Sequence, residues 1–367
     1  MRSKVIAAFA AFAVFIASCK SHDVQTIVVG TATNGASEGV YSFVFDPATA
    51  KTEQKSVARI ENPTFMAYDA ATSVLYCVAE CESDSAAVAS FAIDRNTLEF
   101  APISVQPCRS DYPCHIIKSD DFIATANYGG GDISIYGIAK ESSGVIEPMS
   151  QRVELNGRGG RVRAQSHIHC LIESPDKRYI FATDLGKDSI YRFAVGEGAT
   201  VTQLNPAVAI KRGSAPRHMT FAPNGTKAYL ISEMSGEVTA FDYDSADGSL
   251  TQFQVVKADD AGGRGSADIH ISSDGKYLYA SNRIKDDGVS TFAIDDDSGR
   301  LTKIDYTRTG IHPRNFAISP CGRFMLVACR DSNVVEIYSR DIESGVLSHV
   351  GREHDIEIES PMFVKFI

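Results

Sequence analysis

The sequence predicts an all-β fold, a seven-bladed β-propeller with four antiparallel strands per blade, and three observations carry the prediction. A phrase returns at a nearly fixed pitch, beginning at Ser174 (Ser-Pro-Asp-Lys-Arg-Tyr-Ile-Phe), Ala222 (Ala-Pro-Asn-Gly-Thr-Lys-Ala-Tyr), Ser272 (Ser-Ser-Asp-Gly-Lys-Tyr-Leu-Tyr) and Ser319 (Ser-Pro-Cys-Gly-Arg-Phe-Met-Leu), at offsets of 48, 50 and 47 residues. A period of that length marks one supersecondary unit copied many times. Each copy joins a Pro/Asp/Gly turn to a short apolar run, which is hairpin chemistry rather than helix chemistry. Finally, the first unit lacks an opening strand while the chain ends in Pro361-Met-Phe-Val-Lys-Phe-Ile367, which reads as one. The C-terminus is expected to supply the innermost strand of the first blade and close the ring, removing an exposed sheet edge.

Along the chain, residues 1–19 stand apart. Arg2 and Lys4 precede an apolar run from Val5 to Ala17, and Ile16-Ala-Ser-Cys19 follows. The run is too short to span a bilayer and has the charge pattern of a secretory signal. The small residues before Cys19 resemble a bacterial lipobox, so residues 1–19 are expected to be a signal peptide with Cys19 lipidated. Residues 20–25 form a short linker and 26–367 a single propeller domain. The expected location is the cell envelope, periplasm-facing or outer-surface, with the N-terminal lipid as the only membrane anchor.

Weaker copies of the unit precede the clear ones: Asn62-Pro-Thr-Phe-Met66 leads into Val74–Glu80, and Tyr112-Pro-Cys-His115 into Phe122–Asn127. In the unit beginning near Arg217, strands are predicted over Arg217–Ala222, Ala228–Ser232, Glu237–Asp242 and Leu250–Val256. Units of roughly 48 residues fill 26–367 about seven times. The interval from Ser119 to Ser174 is longer, and its surplus contains Gly157-Arg-Gly-Gly-Arg-Val-Arg163, a loop expected at a binding face. A net charge of −10 without a dense Lys/Arg stripe excludes bulk nucleic-acid binding. Seven cysteines besides Cys19 cannot all pair internally; Cys108 and Cys114 are close enough in sequence for a loop bridge, and no zinc-ligand pattern is complete.

In a propeller the inner strands converge on a central channel. Polar residues cluster where those strands would begin or end: His167-Ile-His169, Pro216-Arg-His218 and Pro313-Arg-Asn315, with Asn127-Tyr128, Asp184, Glu233, Asn282-Arg283 and Arg330 after the second apolar runs. Strands that needed only burial would not repeatedly start or stop in such residues, so a concave polar pocket is expected.

These phrases, with Ala126-Asn-Tyr-Gly-Gly-Gly131, Asp184-Leu-Gly186, Ala280-Ser-Asn-Arg283, His312-Pro-Arg-Asn315 and Val29-Gly-Thr31, resemble the lactonase family of seven-bladed propellers across essentially the whole chain after the leader. That family includes propeller-type 6-phosphogluconolactonase and a fungal carboxymuconate-lactonising enzyme. The resemblance implies hydrolysis of a sugar-acid lactone, with 6-phosphogluconolactone as leading substrate and no cofactor. It implies a functional set of one His, two Arg and one Glu, matching His169, Arg217, Glu233 and Arg283.

Lactone hydrolysis needs an activated water, a stabilised oxyanion and a proton for the departing ring oxygen. His169 suits the base; Arg217 suits the oxyanion or an anionic clamp. Glu233 would orient Arg217 or His169, or act as the acid. Arg283 and Arg314 would hold an anionic substituent, with His167, Asn127 and Asn282 completing the substrate pocket. Glu80, Asn127, Asp184 and Asn282 form an oxygen set of the type a divalent ion uses, but no metal is expected. Two other functions fit the same architecture: a non-catalytic envelope propeller binding a glycan or protein, and a muconate-type cycloisomerase.

Overall fold

The computed structural model describes residues 24–155 and 165–367. The leader with Cys19 and the Gly157–Arg163 stretch lie outside the described residues.

The repeated phrase builds a turn for a local reason. The hydroxyls of Ser174, Ser272 and Ser319 each accept the backbone N–H five residues on, from Tyr179, Tyr277 and Phe324, all at 3.0 Å. Gly225, Gly275 and Gly322 take the left-handed conformation these turns require, at φ 71°, 76° and 71°. Lys177 occupies the same slot at φ 60° without the glycine. The apolar run after each turn is then a buried strand, such as Tyr179–Asp184 or Phe324–Cys329.

Seven antiparallel sheets result. Blade 1 is ordered Pro361–Phe366, Gln25–Thr31, Gly39–Asp46, Lys51–Arg59, so the C-terminal strand closes the ring as expected. Its pairing runs Ile27 to Phe366, Val28 to Lys365 and Val29 to Val364. Blades 2 to 6 each take four consecutive strands. In blade 5 they are Pro216–Phe221, Lys227–Ser232, Glu237–Asp244 and Ser249–Lys257, within a few residues of expectation. Blade 7 adds Ile356–Glu357 beside Val334–Arg340. Among the described residues the only helical segments are two single 3₁₀ turns, and no helix is long and apolar enough to cross a membrane.

Every seam between adjacent blades holds its own apolar cluster. Phe122, Ile133 and Phe193 pack between blades 3 and 4; Phe45, Leu326, Ile337 and Val364 pack between blades 7 and 1. Both faces of each blade are thereby buried, and each fully covered Leu, Ile or Phe contributes about 1.5–3 kcal/mol. The seven described cysteines are free thiols and all but Cys321 are buried. The Cys108–Cys114 bridge is therefore corrected: Cys108 Sγ reaches Asn127 Oδ1 at 3.2 Å inside blade 3, while Cys114 Sγ donates to the His169 carbonyl at 3.4 Å across the seam.

Candidate active site at the channel mouth

One device, repeated around the ring, aims side chains into the channel. Asn62, Tyr112, Ala215, His312 and Ser360 each precede a proline and sit at φ between 45° and 64°, a conformation costly for non-glycine residues and characteristic of functional sites. Their carbonyls accept the backbone N–H of the residue that follows the neighbouring second strand: Glu80, Tyr128, Glu233, Arg330 and Ala32, at 2.8 to 3.1 Å. Just past each left-handed residue or its equivalent, the inner strand of five blades carries a β-bulge. The residues skipped by the ladder are Cys114, His169, Arg217, Arg314 and Met362. A bulge re-aims a side chain without disturbing the pairing on either side. Three of the five skipped positions, His169, Arg217 and Arg314, are predicted site residues.

The mouth is built around a shared carboxylate. Glu233 Oε2 accepts from Arg217 Nε at 3.0 Å and from Arg283 Nη2 at 3.1 Å, bridging blades 5 and 6. Arg217 is 2% exposed; its Nη1 donates to the Ala267 carbonyl at 2.6 Å and faces His218 Nε2 at 3.3 Å. Its Nη2 makes no bond among the described residues. Arg283 uses its remaining nitrogens on the Gly265 carbonyl and on His312 Nε2. His312 in turn meets Asp331, which also pairs with Arg330. Arg314, half-buried, has neither a hydrogen bond nor an ion pair among the described residues.

This arrangement is electropositive. Burial, then the charges of Arg217 and Arg314, push the Arg283 guanidinium well below its ordinary value despite Glu233. Burial and Arg217 also lower Arg314, with Glu80 opposing. His169 is 6% exposed, and its Nδ1 is buried without a partner. Burial, then Arg217 and His218, hold its pKa well below 6.5, so the imidazole is neutral at neutral pH. Its ring lies 5.1 Å from His218 and edge-on to Tyr128 at 5.7 Å.

Beneath the mouth a plug of inner-strand side chains crosses the channel. Phe65 stacks on His115 at 3.9 Å and packs on Phe363 at 4.6 Å. His218 Nδ1 is 2.7 Å from Asp268 Oδ1, whose other oxygen is met by His270 Nε2 at 2.9 Å and by the Asn315 amide. Burial, then Arg217, lowers His218 to about 4. Burial opposes ionisation of Asp268, but His270 and the bonds from both histidines outweigh it and hold the carboxyl well below 3.8.

Of the predicted residues, His169, Arg217, Glu233, Arg283 and Arg314 meet at this mouth. His167 lies beside it, stacked on Tyr128 at 4.6 Å with Nδ1 2.9 Å from the Tyr128 carbonyl. Asn127 and Asn282 are corrected from substrate contacts to hairpin braces. Both are fully buried. Asn127 binds Asp132, Ser134, Thr125 and Cys108; Asn282 binds Ser266, Ser290 and the Ala258 carbonyl. Asp184 is committed likewise to the His167, Gly186 and Lys187 amides and Ser166. The oxygen set suggested for a divalent ion is thus not assembled at the mouth. The one three-ligand cluster among the described residues, Glu336, His349 and Asp355, lies at the outer edge of blade 7, on two of its strands and the turn before Ile356–Glu357. Sequence reasoning missed Asp268 and His270. Their signal was positional, since Ala267-Asp-Ile-His270 occupies in blade 6 the place that Arg217-His218 occupies in blade 5.

A family model described as "Lactonase, 7-bladed beta-propeller" matches residues 26–366. The chain belongs to the lactonase family. Among relatives in that family, the 6-phosphogluconolactonase of Bacillus subtilis is 31% identical over 348 residues, covering 92% of this chain and 97% of its own. The periplasmic gluconolactonase of Pseudomonas aeruginosa superposes with a TM-score of 0.86 at 29% identity, over 94% of this chain and 99% of that one. A crystal structure from Bacteroides uniformis superposes with a TM-score of 0.89 at 42% identity, over 94% of this chain and all of the other.

Proposed function

We propose that the protein is a lactone hydrolase of the 6-phosphogluconolactonase type, opening a sugar-acid lactone at the mouth lined by His169, Arg217, Glu233 and Arg314. The relatives named 6-phosphogluconolactonase and gluconolactonase support the reaction class. The residue assignment is carried by a pair of groups in one mouth that are unmatched among the described residues: the guanidinium of Arg314, and the neutral imidazole of His169 with its buried Nδ1.

His169 takes a proton from water as the water oxygen bonds to the lactone carbonyl carbon. The free Nη2 donors of Arg217 receive the oxyanion, held in place by Glu233 and the Ala267 carbonyl. When the C–O ring bond breaks, the imidazolium returns its proton to the departing oxygen. The products are an alcohol and a carboxylic acid that releases its proton to solvent as the carboxylate, and no further reactant is required. Glu233 acts here as a brace rather than an acid, because one of its oxygens is shared by two guanidiniums. Arg314 holds the substrate's anionic group.

The same proposal places the protein outside the cytoplasm as a lipoprotein anchored at Cys19. The basic-apolar leader and the periplasmic location in the name of the Pseudomonas relative support this. Hydrolysis of δ-gluconolactone and 6-phosphogluconolactone, corrected for the spontaneous reaction, tests the function. His169→Ala is expected to lower kcat about 100-fold or more, in the range of a lost general base. Rates equal to buffer for both substrates with the unsubstituted protein would overturn it.

A further inference from the structure

We infer that the opposite mouth of the channel is a second ligand site, one that takes a small carboxylate with an apolar body. The two mouths are separated by the plug of Phe65, Phe363, His115, His218 and Asp268. Below it lies a cavity of about 260 Å³ whose walls include Met66, Phe316, Pro320 and Phe366, with Lys365 and His270 the ionisable ones among the described lining residues.

Lys365 is the unusual member. It sits on the ring-closing strand Pro361–Phe366, is half-buried, and has no hydrogen bond or ion pair among the described residues. Burial alone lowers its pKa, with no carboxylate to offset it. No Asp or Glu is among the described residues that line the cavity. Asp268 stands behind His270, its oxygens already claimed by His218, His270 and Asn315. An ammonium withdrawn from water without a counterion is unfavourable to the fold. A ligand carboxylate on Nζ removes that cost.

The rest of the cavity sets the ligand's character. His270 keeps Nε2 on Asp268 and lies edge-on to Phe316 at 4.9 Å, which leaves Nδ1 as its other polar atom. One ammonium and one imidazole suit a monoanionic carboxylate. A phosphate dianion would find too few donors here, and finds them instead among the arginines of the other mouth. The aromatic and aliphatic walls require an apolar body, and the volume limits it to about the size of one ring.

Benzoate is the probe. A ligand that binds only the folded state raises its stability with concentration, so benzoate is expected to raise Tm in the unsubstituted protein. Lys365→Met, which keeps the side-chain volume and removes a buried charge, is expected to weaken benzoate binding by about 10-fold or more, the loss of one charge-assisted hydrogen bond. The same variant should hydrolyse lactone at the unsubstituted rate, which also reports that it is folded. Arg314→Gln, at the other mouth, should keep the benzoate shift. No shift in the unsubstituted protein, an equal shift in Lys365→Met, or loss of the shift in Arg314→Gln would each overturn the assignment.

Discussion

Replacing Arg314 by Gln separates substrate recognition from folding, because this arginine is the mouth's one guanidinium without a partner among the described residues. Removing it strands no acceptor and relieves the repulsion that it exerts on Arg283. Stability should therefore stay level or rise slightly. A hydrogen bond to a charged group contributes about 1.5–3 kcal/mol. At 1.36 kcal/mol per tenfold, its loss lowers kcat/KM for the phosphorylated lactone by about 10- to 150-fold. δ-Gluconolactone carries no phosphate, so its kcat/KM should fall less than about 3-fold, the effect of a changed neutral contact. The assay is initial-rate hydrolysis of both lactones, followed by proton release and corrected for the buffer reaction, beside a urea midpoint for each protein. Equal losses on the two substrates, or a destabilised variant, would refute the reasoning.

Glu233→Gln should behave in the opposite way. Arg217 and Arg283, 2% and 5% exposed, would lose their common countercharge, and breaking a buried pair in this manner costs about 3–5 kcal/mol, measurable as a lower urea midpoint. The fold should also weaken in mild acid. His218 falls from 6.5 in the unfolded chain to about 4 in the fold, so between those pH values the unfolded chain binds the proton that the native state refuses. Stability is thus full above pH 6.5 and declines as pH falls towards 4, by about 3 kcal/mol from this group alone. In His218→Asn that part of the pH dependence of the urea midpoint should vanish, and an unchanged slope would contradict the assignment of the titration to His218.

The scaffold was legible in the sequence because its signals are local. Ser174, Ser272 and Ser319 make their turns with neighbours five residues away, and the glycines supply a conformation read directly from residue type. Ring closure was legible because an unpaired first strand and a spare last strand imply each other. The mouth was legible only in part. A one-residue bulge leaves no periodic trace, so nothing in the pattern said that His169, Arg217 and Arg314 share one device. Asn127 and Asn282 misled for a related reason. They end the second strands and turn back to brace the hairpin, whereas the following residues, Tyr128 and Arg283, reach the mouth. The Asp268 network joins side chains separated by about fifty positions, as in His218 to Asp268 and Asp268 to Asn315. Only the closed ring brings such residues together.

That closure has a consequence in time. Gln25–Thr31 is made more than 300 residues before its partner strand Pro361–Phe366. Until Pro361–Phe366 arrives, blade 1 has an unsatisfied edge and the cluster containing Val29, Phe45 and Val364 lacks a wall. Pairing over such a sequence distance is slow, and it completes only after the other blades exist. A growing chain of this design stays open-ended until that strand is made. Its most stable state becomes available only when both strands of that pair are present.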